Sequence, residues 1–330
     1  MNRKRMLSIV VALAVLCCQP AYSQGFTAIV AFGDSLSDLG NTAATVSNLI
    51  TDYNSYYYDQ GRWSDGPVWV ENLARQLGLP ALQRNDGANL YGTDFAWGGS
   101  TSGTGYTIEY LANLQEQTSL YIELLSTKYA RMPAIGSTLF TVWSGGNDVI
   151  YYVEDDTPVT PQQICNNIAD AITDLYRAGA RYFLVPNLPP LGDKPNYLHN
   201  KTYHDKANAF VSAYNPLLQT RLALLQQQLS GIRIFPFNIY NLFKAVIMNP
   251  KGFKLTNVTD PAFRPNDDPF ENYGSVVANP DQYLFWDTTH PTRMGHAIIA
   301  TALEGAVESA FGMPLGDTRR SGALLAGSGW

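Results

Sequence analysis

The stretch Ala28-Ile29-Val30-Ala31-Phe32-Gly33-Asp34-Ser35-Leu36-Ser37-Asp38-Leu39-Gly40-Asn41 decides the fold. Its first part, 28–32, is a short apolar run bounded by Gly33, the mark of a buried strand. The chain then turns at Gly33-Asp34 and leaves Ser35 at the carboxyl end of that strand. In an open α/β sheet this is where ligands and reacting groups sit. Small and acidic neighbours leave the Ser35 hydroxyl unhindered, and a helix can start directly after it. Read alone, Asp34-Ser35 serves equally well as a strand-exit turn with a helix cap, since both residues are common caps.

Working outward, the pattern alternates. A helical stretch comes after the first strand, then a Tyr- and Asn-rich loop at 53–63. Pro67 opens a helix over 67–77, with Val70, Leu73, Ala74 and Leu77 at helical spacing, and Gly78 ends it. A short strand at 89–96 leads into the Gly-rich 98–103, and a long amphipathic helix is expected over 107–126. A buried strand at 138–143 ends in Ser144-Gly145-Gly146-Asn147-Asp148. Then come a helix at 161–178, a strand at 181–185, a Pro-rich loop at 186–195 and a helix at 202–229. A strand at 232–237, a helix at 239–248, a patternless polar loop at 249–281 and a last helix at 292–311 complete the order. Five alternations of strand and helix predict a three-layer α/β sandwich, with a mostly parallel five-stranded sheet flanked by helices.

Both ends fall outside that unit. Arg3-Lys4-Arg5 precede an apolar run at 6–18 and small residues at Ala21 and Ser23, which describes a secretory signal peptide cut after Ser23. An anchor on Cys17 or Cys18 is the weaker reading, because Leu16 and Cys17 suit such processing poorly. No later run is long and apolar enough to cross a membrane, so the expected location is secreted or periplasmic. Residues 24–312 form the expected domain, and the Gly- and Ser-rich 313–330 read as a disordered tail.

Loss of residues 1–23 moves the formal net charge from −6 to −9. That balance argues against nucleic acid, which needs a basic footprint, and leaves peripheral contact with lipid surfaces open. Only Cys165 remains after the leader, so no internal disulfide can form. It reads as a small core residue. No cofactor is implied and no obligate protein partner is inferred.

A serine hydroxyl needs a base to act as a nucleophile, and histidine serves best near neutral pH. Of His199, His204, His290 and His296, only His290 has a carboxylate at a useful offset, Asp287. On a tight turn that carboxylate meets the imidazole's other nitrogen and fixes its tautomer. His199 and His204 read as structural or solvent-facing, and His296 as either buried or capping. Gly98-Gly99 and Gly146-Asn147 can supply N–H donors for an oxyanion. Each of these segments also fits an ordinary strand-exit turn. Their combination, in a compatible order, favours ester hydrolysis.

These blocks resemble the GDSL, or SGNH, hydrolase family. Gly33-Asp34-Ser35-Leu36-Ser37 is similar to its first block and Phe95-Ala96-Trp97-Gly98-Gly99-Ser100 to its second. Gly146-Asn147-Asp148 resembles its third, and Asp287-Thr288-Thr289-His290-Pro291 its last. The stretch 61–74 is similar to the bacterial lipolytic members. The resemblance implies the flavodoxin-like fold of that family, with Ser35 as nucleophile, His290 as base and Asp287 as its orienter. It implies an oxyanion hole from the Ser35 and Gly99 N–H groups and the Asn147 side chain, with Gly98 as the alternative to Gly99. Asp94 stands where the family usually has Asn, which bears on loop geometry rather than reaction. No Gly-x-Ser-x-Gly surrounds Ser35, which separates the chain from the α/β-hydrolases.

The expected activity is a serine carboxylic ester hydrolase, an esterase or lipase acting on fatty-acyl or lysophospholipid esters. The same site allows a carbohydrate acetylesterase or an acyltransferase. The aromatics at 56–63, Phe263, Phe270, Tyr273 and 283–286 suggest an apolar acyl pocket. Two other classes compete: a non-catalytic glycan- or lipid-binding protein, and a metal-dependent hydrolase using Asp267, Asp268 and Glu271. The last three lack clear ligand spacing and suit a solvated loop.

Overall fold

Six consecutive buried residues, Ala28–Gly33, form strand β1. In the computed structural model, residues 25–46, 57–85, 90–107, 111–127, 131–265 and 274–311 are described. The leader at 1–23, the tail at 313–330, Tyr56, Phe270, Tyr273 and the carboxylates Asp267, Asp268 and Glu271 lie outside the described residues.

Strand β1 pairs in parallel with β2 (Thr138–Trp143), in register from Ala28 opposite Thr138 to Gly33 opposite Trp143. Next come β3 (Tyr182–Pro186) and β4 (Arg233–Phe237), also parallel, in the order β1-β2-β3-β4. The expected strand at 89–96 is reduced to the extended segment 93–97 on the free edge of β1. It is held by Ala31 N–H to Thr93 O (2.9 Å), Phe95 N–H to Ala31 O (2.8 Å) and Trp97 N–H to Gly33 O (3.1 Å). Counted with this fifth lane, the sequence order across the sheet is 2-1-3-4-5. That is the flavodoxin-like arrangement, whose switch point lies between β1 and β2.

The α-helices longer than four residues among the described residues are α1 (Asn41–Val46), α2 (Trp69–Gln76), α3 (Leu114–Ser126), α4 (Gly146–Glu154), α5 (Pro161–Ala178), α6 (Lys201–Gln228), α7 (Ile239–Met248) and α8 (Arg293–Phe311). Side chains alternate across a strand. Val30, Phe32, Phe140, Val142 and Phe183 therefore pack against α3, α4, α5 and α6. Ile29, Ala31, Leu139, Trp143 and Leu184 pack against α2, α7 and α8. Both faces are covered, which is why β1 is an apolar run without a polar alternate.

Three expectations change. The helix expected from residue 107 starts at Leu114, because Tyr106–Thr107 and Leu111–Ala112 pair as a short antiparallel ribbon. Asn113 ends the ribbon: its side-chain oxygen accepts from Thr101 N–H and Thr107 Oγ1, both at 2.8 Å. Helix α4 is hidden in the sequence by its Gly145-Gly146 start, glycine being a poor helix former. Gly145 takes φ 109° there, a turn that suits glycine. The loop expected at 249–281 carries a strand, Asn257–Pro261, paired in parallel with Tyr283–Phe285.

Candidate active site

The exits of β1 and β2 bring the first site residues together. An added Cβ on Gly33 would stand 2.2 Å from Trp143 O, so only glycine lets the two strand ends approach this closely. Asp34 O then accepts Ser37 N–H (3.0 Å) and Asp38 N–H (3.1 Å), closing a turn with Ser35 at its crest. Asp38 ties this turn to its neighbours. Its carboxylate accepts Gly40 N–H (2.7 Å) and Asn41 N–H (2.6 Å) at the start of α1, and Gly98 N–H (3.0 Å) from the Gly-rich loop.

Gly98 N–H also donates to Thr42 Oγ1 at 2.7 Å. Gly98 is therefore turned inward. The Gly99 N–H has no hydrogen-bond partner among the described residues, and Gly99 takes φ +78°. This favours Gly99 over Gly98 as a donor to a ligand. Asn147, in the first turn of α4, donates from Nδ2 to Ser100 O at 2.8 Å. Beside it, Asp148 accepts Ser102 N–H and Ser102 Oγ–H, both at 2.8 Å, tying α4 to the same loop.

Gln117 carries no signal in the sequence beyond being one more polar residue on α3. Wholly buried, it donates from Nε2 to Gly33 O (2.8 Å) and Ser100 Oγ (2.9 Å), and its Oε1 accepts Gly33 N–H (2.9 Å). One side chain thereby locks the end of β1 to the Gly-rich loop.

The other half of the site is the turn 287–290. Asp287 Oδ1 accepts Thr289 N–H and His290 N–H, both at 2.7 Å, and Oδ2 lies 2.7 Å from His290 Nδ1. Burial alone would raise the Asp287 carboxyl. The charge of His290 and these hydrogen bonds outweigh it and hold the carboxyl below its ordinary value. A carboxylate can only accept, so Nδ1 carries the imidazole proton and Nε2 is the acceptor. Nε2 stands 2.9 Å from Ser35 Oγ, and the Ser35 hydroxyl donates to it across 255 residues of sequence.

Behind this relay stand aromatics. The Tyr58 hydroxyl donates to Asp287 Oδ2 at 2.8 Å, and the Trp63 ring lies 5.3 Å from that of His290. Tyr57, Tyr58, Trp63, Phe263, Tyr283 and Trp286 pack together there. The expectation that these rings line an acyl pocket is therefore corrected. The open cleft beside Ser35, of about 560 Å³ including its mouth, has a different wall: Leu36, Ile150, Pro189, Pro190, Leu191 and Phe243, with Phe285 as the one shared residue. A ring that packs behind a turn and a ring that lines a cleft have the same sequence signature.

The remaining candidates separate cleanly. His296 is buried, and its Nδ1 accepts Trp69 N–H (3.2 Å) at the start of α2, so it both packs and caps. Burial lowers it to about 3, with the charge of His290 adding to the effect. His204 lies between Asp193 (3.3 Å) and Asp205 (2.9 Å) on α6, and His199 is exposed. Asp94 is fully buried. It accepts Leu39 N–H (2.8 Å) and Ala96 N–H (3.2 Å), and burial, with Asp38 nearby, drives its carboxyl well above the ordinary range. It thus shapes the loop, as an amide would. Cys165 is buried in α5, where burial pushes its thiol up to about 12. Among the described residues, no group of three His, Cys, Asp or Glu side chains could hold a metal ion. No helix among them is long and apolar enough to cross a membrane.

The family model for GDSL-like lipase/acylhydrolase matches residues 29–303. The chain is 28% identical to the thermolabile hemolysin of Vibrio parahaemolyticus, over 82% of this chain and 62% of that protein, so it spans less than two thirds of the hemolysin's length. It is 26% identical to the phosphatidylcholine-sterol acyltransferase of Aeromonas hydrophila, over 93% of this chain and 98% of that one. A solved structure of an acetylxylan esterase from Geobacillus stearothermophilus aligns with a TM-score of 0.47 at 11% identity, over 90% of this chain and 99% of that one.

Proposed function

The chain belongs to the GDSL-like lipase/acylhydrolase family of carboxylic ester hydrolases, and from that premise we propose that it cleaves fatty-acyl esters through an acyl-enzyme on Ser35. The observation that carries this reading is the unbroken relay from Ser35 Oγ through His290 to Asp287, at 2.9 and 2.7 Å.

In the proposed step, Ser35 Oγ forms a bond to the ester carbonyl carbon while its proton passes to His290 Nε2. The carbonyl π pair moves onto oxygen. The Ser35 and Gly99 N–H groups and the Asn147 amide face that oxyanion, each donor pre-set so that little reorganisation is needed. Collapse breaks the bond to the alcohol oxygen, which leaves with the proton from His290. Water repeats the sequence and frees the acid. Asp287, kept ionised, holds the imidazole in the required tautomer and steadies the imidazolium.

The largely apolar wall of the cleft supports an acyl chain over a small acetyl group. Transfer to a second alcohol in place of water is the alternative that the Aeromonas relative's name suggests. Export through removal of residues 1–23 belongs to the same reading. The test is stopped-flow hydrolysis of p-nitrophenyl butyrate. A burst of p-nitrophenol approaching one equivalent per chain is expected, with Ser35→Ala folded and slower by about 10⁴-fold or more. Turnover retained in Ser35→Ala ends the assignment.

A further inference from the structure

Helix α4 reaches the Gly-rich loop with a third side chain besides Asn147 and Asp148. Tyr151 lies four residues after Asn147, so the two share one face of the helix. They take consecutive carbonyls of the loop: Asn147 Nδ2 donates to Ser100 O at 2.8 Å and the Tyr151 hydroxyl to Gly99 O at 3.3 Å. Burial raises that hydroxyl above its ordinary value, with the charges of Asp155, Asp148 and Glu154 adding to the effect, so it keeps its proton and can donate. Tyr152, the next residue, faces α6 instead, with its ring 5.1 Å from that of Phe210.

Gly99 has little else to hold it. Ser100 N–H donates to Trp97 O at 3.1 Å and closes a turn over Gly98-Gly99, with φ +78° at Gly99, as a type II turn requires of its third residue. Adjacent glycines have wide backbone freedom. An added Cβ on Gly99 would meet only Leu111 Cδ1 and Tyr151 Oη, both at 3.6 Å, so close packing does not pin the residue. Its neighbours are anchored: Gly98 by Asp38 and Thr42, Ser100 by Asn147 and Gln117. Among the described residues the bond from Tyr151 is the one hydrogen bond that Gly99 makes.

We propose that Tyr151 is a positioning residue of the oxyanion hole: its hydroxyl ties Gly99 to the helix face that carries Asn147, so that the Gly99 N–H and the Asn147 amide converge on the same oxygen. The assignment rests on the ester-cleaving reading and adds to it the part that keeps the hole in shape. The two donors come from different segments and must be held to within about 0.5 Å of their working geometry. A helix is stiff and a two-glycine turn is not. A bond from the helix to the carbonyl of Gly99 gives both donors one frame.

The test is Tyr151→Phe, which keeps the ring and removes the hydroxyl. With p-nitrophenyl butyrate, kcat should fall about 5–10-fold, the worth of one hydrogen bond, while KM stays within about 2-fold. A second reading needs no turnover. An alkyl trifluoromethyl ketone adds to Ser35: Oγ bonds to the ketone carbon, the carbonyl π pair moves onto oxygen, and the serine proton passes to His290 Nε2. The adduct sets an oxyanion in the hole, and its inhibition constant should rise by the same factor. A hydroxyl that serves the fold alone would lower the melting temperature and leave kcat and the inhibition constant as they are. That result overturns the proposal, as does a fall in kcat with the inhibition constant unchanged, or no change at all. The wild-type burst of p-nitrophenol reports on the ester-cleaving reading, and the ratio of variant to wild type reports on Tyr151, so the two fail separately. If Tyr151→Phe does not fold, Tyr151→Met, whose flexible chain refills the space without a donor, is read in the same way.

Discussion

The two halves of the site are built by different means. The Ser35, Gly99 and Asn147 half grows from strand exits, and buried side chains hold it: Gln117 on Gly33, Asp38 on Gly98, Asp148 on Ser102. The Asp287–His290 half is a turn held from outside by peripheral segments: Tyr58 on Asp287, Trp63 against His290, and Asn196 N–H, in the short helix Pro195–Leu198, on Thr288 O at 3.1 Å. The first half inherits the rigidity of the sheet core. The second depends on a few contacts made by surface segments far away in sequence. Damage to the first should therefore cost transition-state stabilisation and fold together, whereas damage to the second should tune the base and leave the fold intact.

The largest effect expected from breaking this contrast is at Asn147. Asn147→Ala removes one proposed oxyanion donor and should lower kcat by about 10²–10³-fold with little change in KM. A rise in KM with kcat unchanged would point to binding instead. Next is Gln117→Leu, which leaves the buried Gly33 N–H unpaired and should cost about 2–3 kcal/mol in urea unfolding. A variant as stable as wild type would show that the β1 exit is not held from α3. Third comes His296, a histidine of the fold and not of the relay. Its folded value is about 3 against about 6.5 when unfolded. The unfolded chain thus binds the extra proton between those values, and stability falls as pH drops through that window. From pH 7 to 4.5 the loss from this group is about 2–3 kcal/mol. His296→Gln should flatten that slope, and an unchanged slope would show that another group carries it. The smallest effect is Tyr58→Phe. It takes one of four hydrogen bonds from Asp287 and should slow kcat about 5–10-fold at constant stability, roughly 1 kcal/mol. A loss of melting temperature without a loss of rate would erase the proposed difference between the halves.

The same contrast explains what could be read from the sequence. Thr138–Trp143, Pro161–Ala178 and Ile239–Met248 fall on the expected boundaries. An apolar run or a capped amphipathic stretch carries its fate locally. Ser35, Gly99, Asn147, Asp287 and His290, singled out in the sequence, are brought to the same end of the sheet. What stayed illegible is specified by partners. Gln117 acquires its role only when α3 crosses the end of β1. The rings at 57–63 differ from cleft rings only in what stands in front of them. His296 caps α2 across 227 residues, a distance at which no local pattern speaks.

The central claim is that His290 makes Ser35 the one activated hydroxyl of the chain. The direct measurement is peptide mapping by mass spectrometry after treatment with a fluorophosphonate. A single adduct on Ser35 is expected, formed quickly in wild type and absent or strongly slowed in His290→Ala. An adduct on another residue, or labelling of Ser35 at an undiminished rate in His290→Ala, would contradict the claim.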